Sequence, residues 1–333
     1  MLRTFDEKLN GFLFVVIFPF LLFFMSYYGF ESSYVELKSM KNAPDFMFSS
    51  VYAYRVIPNF LMIHTTEALD YFINHNFSSL RKILLKNGTS FYHSIFLINS
   101  FFFVLSSVVL NAILKMNPIK ILLNSNVKKI VHLLAIFFIV IVQYVPTNCD
   151  LIAVFFYLLG IWFSLRYYHQ SKISDFVFLC LTVFVSTFVR ETACLNIAFF
   201  AAIFIDFERF KAGVFKSAKE IILLVLSFVL PYIGLKMIIP QDASFFEGIY
   251  LAKNFTSPFN LAGLLFGVVG FYFIFGLCGD AGKLILKKYL FFSIPYLGMI
   301  TLVGLFWETR LFLPLLLSGL IVAFHRFKNI HTA

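Results

Sequence analysis

Long apolar runs separated by short polar stretches set the pattern of this chain. A helix needs about 20 mainly apolar residues to cross a bilayer. Runs near that length lie at approximately 11–30, 91–114, 130–146, 150–166, 174–190, 192–206, 220–240, 259–278, 289–307 and 309–325. Helices are the expected form, because isolated strands leave backbone groups unpaired in lipid. The pattern predicts an all-α, polytopic transmembrane helix bundle of about ten spans. The first run is too long for a signal-peptide core and has no small-x-small cleavage site, so it reads as a retained span. Pro146, Pro240 and Pro258 mark run ends, whereas Pro19, Pro231, Pro295 and Pro314 fall inside runs and predict kinks. No soluble domain stands out, and 1–333 reads as a single integral-membrane domain.

Residues 31–90 depart from this pattern and read as the first outer loop. Within them Val56, Ile57, Phe60, Leu61, Ile63, Leu69 and Phe72 recur at loose helical spacing. His64, Glu67 and Asp70 interrupt them. That mixture predicts amphipathic helices on the membrane surface in preference to an eleventh span at 56–76.

Composition strengthens the membrane reading. The chain is 60% hydrophobic and 13% charged, whereas soluble domains are nearer half apolar and a quarter charged. The net charge of +10 has a plain cause in the positive-inside rule. With the N-terminus in the cytoplasm, inner segments collect Arg3, Lys8, Lys115, Lys120, Lys128, Lys129, Arg209, Lys211, Lys216, Lys283, Lys287 and Lys288, among others. The outer segments hold fewer basic residues, balanced by acids. Both termini are expected in the cytoplasm, and the membrane is expected to be a bacterial cytoplasmic (inner) membrane. No nucleic-acid partner is needed to explain the charge. Arg81, Lys82 and Lys86 run against the rule. The four cysteines have no metal-ligand spacing.

Against this apolar background, charged pairs stand out. Arg190-Glu191 separates two apolar runs, and Glu308-Thr309-Arg310 separates two more. Asp150 opens a run, and Tyr54-Arg55 precedes Val56-Ile57-Pro58. Glu31, Glu36 and Asp45 lie in the first outer loop. The ten-span topology puts all of them on the outer side. Each has a plainer reading alone: an interfacial ion pair for Arg190-Glu191 or Glu308-Arg310, a helix N-terminus for Asp150, a snorkelling side chain for Arg55. Together they predict a polar site at the outer mouth of the bundle. Arginines offer a fork of donors suited to phosphate. Carboxylates can orient them, bind a metal or act as a base. Such a site suits a lipid-linked phosphate, with a nearby Asp as base for an acceptor hydroxyl.

Hydrolase, zinc-protease, Walker and dinucleotide motifs are absent. Gly263, Gly267 and Gly270 have the spacing of a close helix contact. Asn196, inside a run, reads as a helix–helix hydrogen bond.

At Tyr54-Arg55-Val56-Ile57-Pro58, Asp150, Arg190-Glu191-Thr192 and Glu308-Thr309-Arg310-Leu311-Phe312-Leu313-Pro314, the chain resembles bacterial polytopic proteins related to the GT-C glycosyltransferases. The resemblance runs over most of the chain. It implies a membrane enzyme that moves a sugar from a polyprenyl-phosphate donor to a glycan or lipid acceptor at the outer face. The sequence departs from that group by lacking a DxD or DD pair in the first outer loop and a large C-terminal outer domain. The expected site has Asp150, Asp45 and Glu191 as catalytic acids. Arg55, Arg190 and Arg310 contact the substrate phosphate, and Glu308 and Tyr54 support them. No dedicated metal ligands are assigned, and a divalent cation is the one cofactor left open. Two other readings compete: a transporter or flippase of a lipid-linked or small anionic substrate, and a non-catalytic component of a polysaccharide assembly complex.

Overall fold

A computed structural model describes residues 11–29, 38–48, 52–143, 147–205, 217–239 and 249–327. Among the described residues the architecture is helical, with one isolated bridge between Pro118 and His325. We number the main helices in chain order: α1 (Leu13–Gly29), α2 (Val56–His75), α3 (Ser90–Lys115), α4 (Ser125–Val142), α5 (Asp150–Gln170), α6 (Ile173–Thr187), α7 (Cys194–Phe204), α8 (Ala218–Ile238), α9 (Pro258–Leu277), α10 (Asp280–Phe292), α11 (Ile294–Val303) and α12 (Leu313–Phe324).

Five of these, α3, α4, α5, α8 and α9, are long and apolar enough to cross a membrane. The bent pair α10–α11, angled by 51°, makes a sixth if counted as one span. Each apolar run of the sequence finds a helix, but α1, α6, α7 and α12 are shorter than a full crossing. The run expected at 289–307 starts earlier, at Asp280, and breaks at Ser293. Pro295 causes this: it sits in the first turn of α11, where its missing N–H is no loss. Pro314 likewise opens α12 and is not a kink.

Pro19 does disturb its helix. Its ring crowds the carbonyl four residues back, Val15, and residues Leu13–Ile17 form a π-turn there. The Val15 carbonyl accepts a hydrogen bond from Ser107 Oγ at 2.6 Å, and Ser107 Oγ lies 3.0 Å from His132 Nε2. Neighbouring helices thus satisfy the backbone group that proline frees, tying α1, α3 and α4 together.

α5 is the central helix, packed on α3, α6 and α7. The α9–α12 seam rests on glycine. A side chain at Gly263 would overlap the Phe306 carbonyl, and one at Gly267 would meet the Phe312 ring. Most other side chains of α8 and α9 are exposed and apolar, the surface a bilayer covers. α2, the loop helix, is long but not apolar enough for a span. It lies against α3 through Thr66–Ser94 at 2.7 Å and Ser90–Asp70 at 2.5 Å.

One end of the bundle carries Arg166–Asp175 at 2.9 Å and Lys288, whose Nζ donates to the Ile205 carbonyl ending α7 at 2.6 Å. His169 and His325 meet there, Nε2 to Nε2, at 2.7 Å. Two imidazole nitrogens at this distance share one proton. Burial and the facing His169 hold the His325 imidazole well below its usual range, at about 3.

Two outcomes follow. Gly263→Leu should destabilise by about 1–3 kcal/mol, because the backbone of 306–307 cannot yield like a side chain; thermal unfolding in detergent measures it. The folded state keeps His325 neutral, so the unfolded chain binds more protons as pH falls below about 6.5. Stability is therefore full above that pH and is lost progressively towards pH 3. Unfolding midpoints between pH 7 and 5 should slope less in His325→Gln than in the native chain.

Candidate functional site

The opposite end of the bundle gathers charges from four distant segments. Asp150 is the first residue of α5 and is 1% exposed. Its Oδ1 accepts from Arg190 Nη1, and its Oδ2 accepts from Arg310 Nη1 at 2.9 Å. The Thr147 N–H and hydroxyl also donate to Oδ2, at 2.7 and 2.9 Å. Arg310 further donates from Nε and Nη2 to Glu308 Oε2, at 3.1 and 2.9 Å. Arg55 Nη2 lies 3.9 Å from Glu191 Oε2.

Local structure explains who meets whom. Arg190 is extended (φ −166°, ψ 151°) between α6 and the turn Glu191–Ala193. Neighbouring side chains on extended backbone point opposite ways. Arg190 reaches α5 while Glu191 faces Arg55, so the adjacent charges do not pair with each other. The carboxylate of Asp150 reaches back to Thr147 and tightens the turn entering α5; the capping position itself belongs to Cys149.

Asparagines hold this end in shape. Asn99 of α3 donates to the Thr147 carbonyl at 3.0 Å and accepts from the Leu151 N–H at 3.4 Å. Asn148 donates to Asn59 at 2.8 Å, and Asn59 donates to the Tyr52 carbonyl at 3.2 Å. The Ile57 N–H donates to the Phe188 carbonyl, docking the start of α2 on the end of α6. Asn254 and Asn260 hold the segment that bears Glu308 and Arg310: they accept from the N–H groups of Phe306 and Trp307 at 3.1 and 3.0 Å.

Arg55 differs from the other two arginines. It is 7% exposed, yet its Nε has no hydrogen-bond partner among the described residues. Its Nη1 donates to the Cys149 sulfur at 3.2 Å, a weak acceptor. Its guanidinium lies 4.2 Å from the centre of the Tyr52 ring. The carboxylate of Glu191 is beyond hydrogen-bond distance. Arg190 and Arg310 hydrogen-bond directly to Asp150 and Glu308, whereas Arg55 meets its carboxylate, Glu191, only at 3.9 Å.

Six of the eight residues expected at the site meet here: Arg55, Asp150, Arg190, Glu191, Glu308 and Arg310. None of these bonds includes Asp45, which is exposed in the turn Asp45–Phe48, or the half-buried Tyr54. Glu31 and Glu36 lie outside the described residues. The sequence pattern places Tyr52 beside Arg55, and Thr147, Asn148 and Cys149 beside Asp150, without a role for any of them, and it does not single out Asn59 or Asn99. Asn in an apolar run was the available signal, but it also marks ordinary helix contacts. The donor set does not fit a divalent cation, because each carboxylate already faces a guanidinium. Among the described residues no group of three or more His, Cys, Asp or Glu is placed to hold a metal.

Comparison with protein-family models, with curated proteins and with solved structures gave no match.

Removing Asp150 should leave two buried guanidiniums facing each other. Asp150→Asn is expected to cost about 3–5 kcal/mol, as for other broken buried pairs. Arg55→Gln breaks only the 3.9 Å contact with the partly exposed Glu191 and should cost less, about 1 kcal/mol. Unfolding midpoints of the two purified variants check the contrast.

Proposed function

We propose that the chain is a glycosyltransferase-like membrane enzyme of surface-glycan or glycolipid assembly, using a polyprenyl-phosphate-linked sugar. The observation that carries this reading is Arg55: a buried guanidinium whose Nε has no partner among the described residues and whose carboxylate neighbour, Glu191, stands 3.9 Å away. A phosphate oxygen supplies what it lacks, a charge-assisted acceptor in fork geometry. The cluster lies at the ends of α5 and α6, the depth at which a lipid headgroup sits while its tail lies along the apolar helices. The resemblance to GT-C-related proteins supports the same chemistry.

In this reading Arg55 receives the donor phosphate, and Arg190 and Arg310 add positive field to stabilise charge on the leaving group. Asp150 orients those two arginines. Its oxygens are occupied by four donors, which makes it a poor recipient for an acceptor proton. Glu191 is better placed as the base, being 18% exposed and only loosely tied to Arg55. The acceptor oxygen attacks the anomeric carbon, and its proton passes to Glu191. The bond from that carbon to phosphate oxygen breaks, and its electron pair stays on the polyprenyl phosphate. Glu308 positions Arg310.

We place this site on the outer face, with ten crossings and both termini in the cytoplasm of a bacterial inner membrane. The bias of Lys and Arg towards the other side supports that orientation. A transporter is the second reading. The observation that favours it is polar matter at mid-depth: Tyr157 OH bonds Tyr289 OH at 2.6 Å and also Ser318, and the amide of buried Asn196 has no partner among the described residues. These groups are uncharged, and the hydroxyls satisfy one another, so the enzyme reading ranks first.

Protein in lipid nanodiscs, given a labelled polyprenyl-phosphate sugar, should release polyprenyl phosphate. Arg55→Gln should slow release by roughly 100-fold or more without loss of folding, and Glu191→Gln should lower kcat. Transbilayer movement of intact donor with no cleavage would establish the transporter instead.

A further inference from the structure

The segment between α2 and α3 concentrates exposed cations and exposed apolar groups. Arg81, Lys82 and Lys86 are all exposed, beside exposed Phe77, Leu80, Ile83 and Leu84. Ile83 is 69% exposed on the four-residue helix Arg81–Leu84. No ion pair among the described residues uses these three cations. They are the same residues that run against the charge bias of the chain.

Depth locates this surface. At about 1.5 Å per residue α3 is roughly 38 Å long, more than the roughly 30 Å of a hydrocarbon core. With Lys115 at one membrane surface, Ser90 reaches the headgroup layer at the other. Arg81–Leu84 lies just before Ser90 in the chain, and α2 is fastened to the first turns of α3 through Asp70–Ser90 and Thr66–Ser94. The segment therefore lies at headgroup level, with apolar side chains able to enter the acyl boundary and cations able to meet charge at the surface. That pairing is the chemistry of interfacial anchoring.

We propose that Phe77–Lys86 is a membrane-surface foot that binds the anionic phospholipid headgroups around the protein. This does not depend on the enzyme reading. Each cation contributes roughly fivefold in affinity for an anionic surface.

The full chain in nanodiscs of phosphatidylcholine, with or without phosphatidylglycerol, tests it by hydrogen exchange. Amides of 77–86 should exchange more slowly, by roughly fivefold or more, when phosphatidylglycerol is present. Salt should weaken the difference. The combined variant Arg81→Gln, Lys82→Gln, Lys86→Gln should abolish it while exchange in α2 stays unchanged, which shows the fold intact. Equal exchange in the two bilayers overturns the proposal, as does full protection in the triple variant. Protection by a soluble anionic glycan in phosphatidylcholine discs, without any effect of phosphatidylglycerol, assigns the surface to a glycan and overturns it too.

Discussion

One carboxylate, that of Asp150, joins the cluster end of the bundle. It receives guanidiniums from two segments far away in the chain and the turn that leads into its own helix. Burying such a group costs several kcal/mol unless it is fully hydrogen-bonded. Four donors meet that demand. The same bonds fix where α6 ends and where the segment before α12 turns back. Two charges would otherwise repel across the site, so the geometry of the arginines depends on this one acid.

The apolar pattern alone located the helices well, because burial in lipid requires long uninterrupted runs. Their ends were less legible. Pro295 and Pro314 proved to be helix starts, a choice that depends on whether the preceding residues have a partner to pack against. The charged residues were visible as exceptions in an apolar chain. Their partners were not. Arg190 and Glu191 are adjacent in sequence and belong to different ion pairs, since Arg190 is itself extended and its side chain points away from that of Glu191. Glu308 and Arg310, two apart on a tight turn, do pair. Asp45 shares the chemistry of the group but not its place. The asparagines escaped notice because an amide in a helix carries no sign of which backbone it will read.

Glycine has the complementary role on the other wall. Gly263 lets α9 approach the backbone of the segment bearing Glu308 and Arg310, and Gly267 makes room for the Phe312 ring beside it. Asn254 and Asn260 then bond that segment directly. The position of Arg310 is thus set by close backbone contact and amide hydrogen bonds, with no layer of flexible side chains between. Such a placement leaves the guanidinium little freedom to shift.

The segment carrying Arg55 is held differently. Its links to the bundle include Asn148 to Asn59, a backbone bond from Ile57 to Phe188, a thiol contact, the pair with Glu191 and the packing of Ile57 and Leu61 on the core. Polar links of this kind exchange for water at little net free energy, unlike a packed apolar seam. The molecule thus sets one wall of the cluster by close backbone contact and the other by polar links, with asparagine serving both.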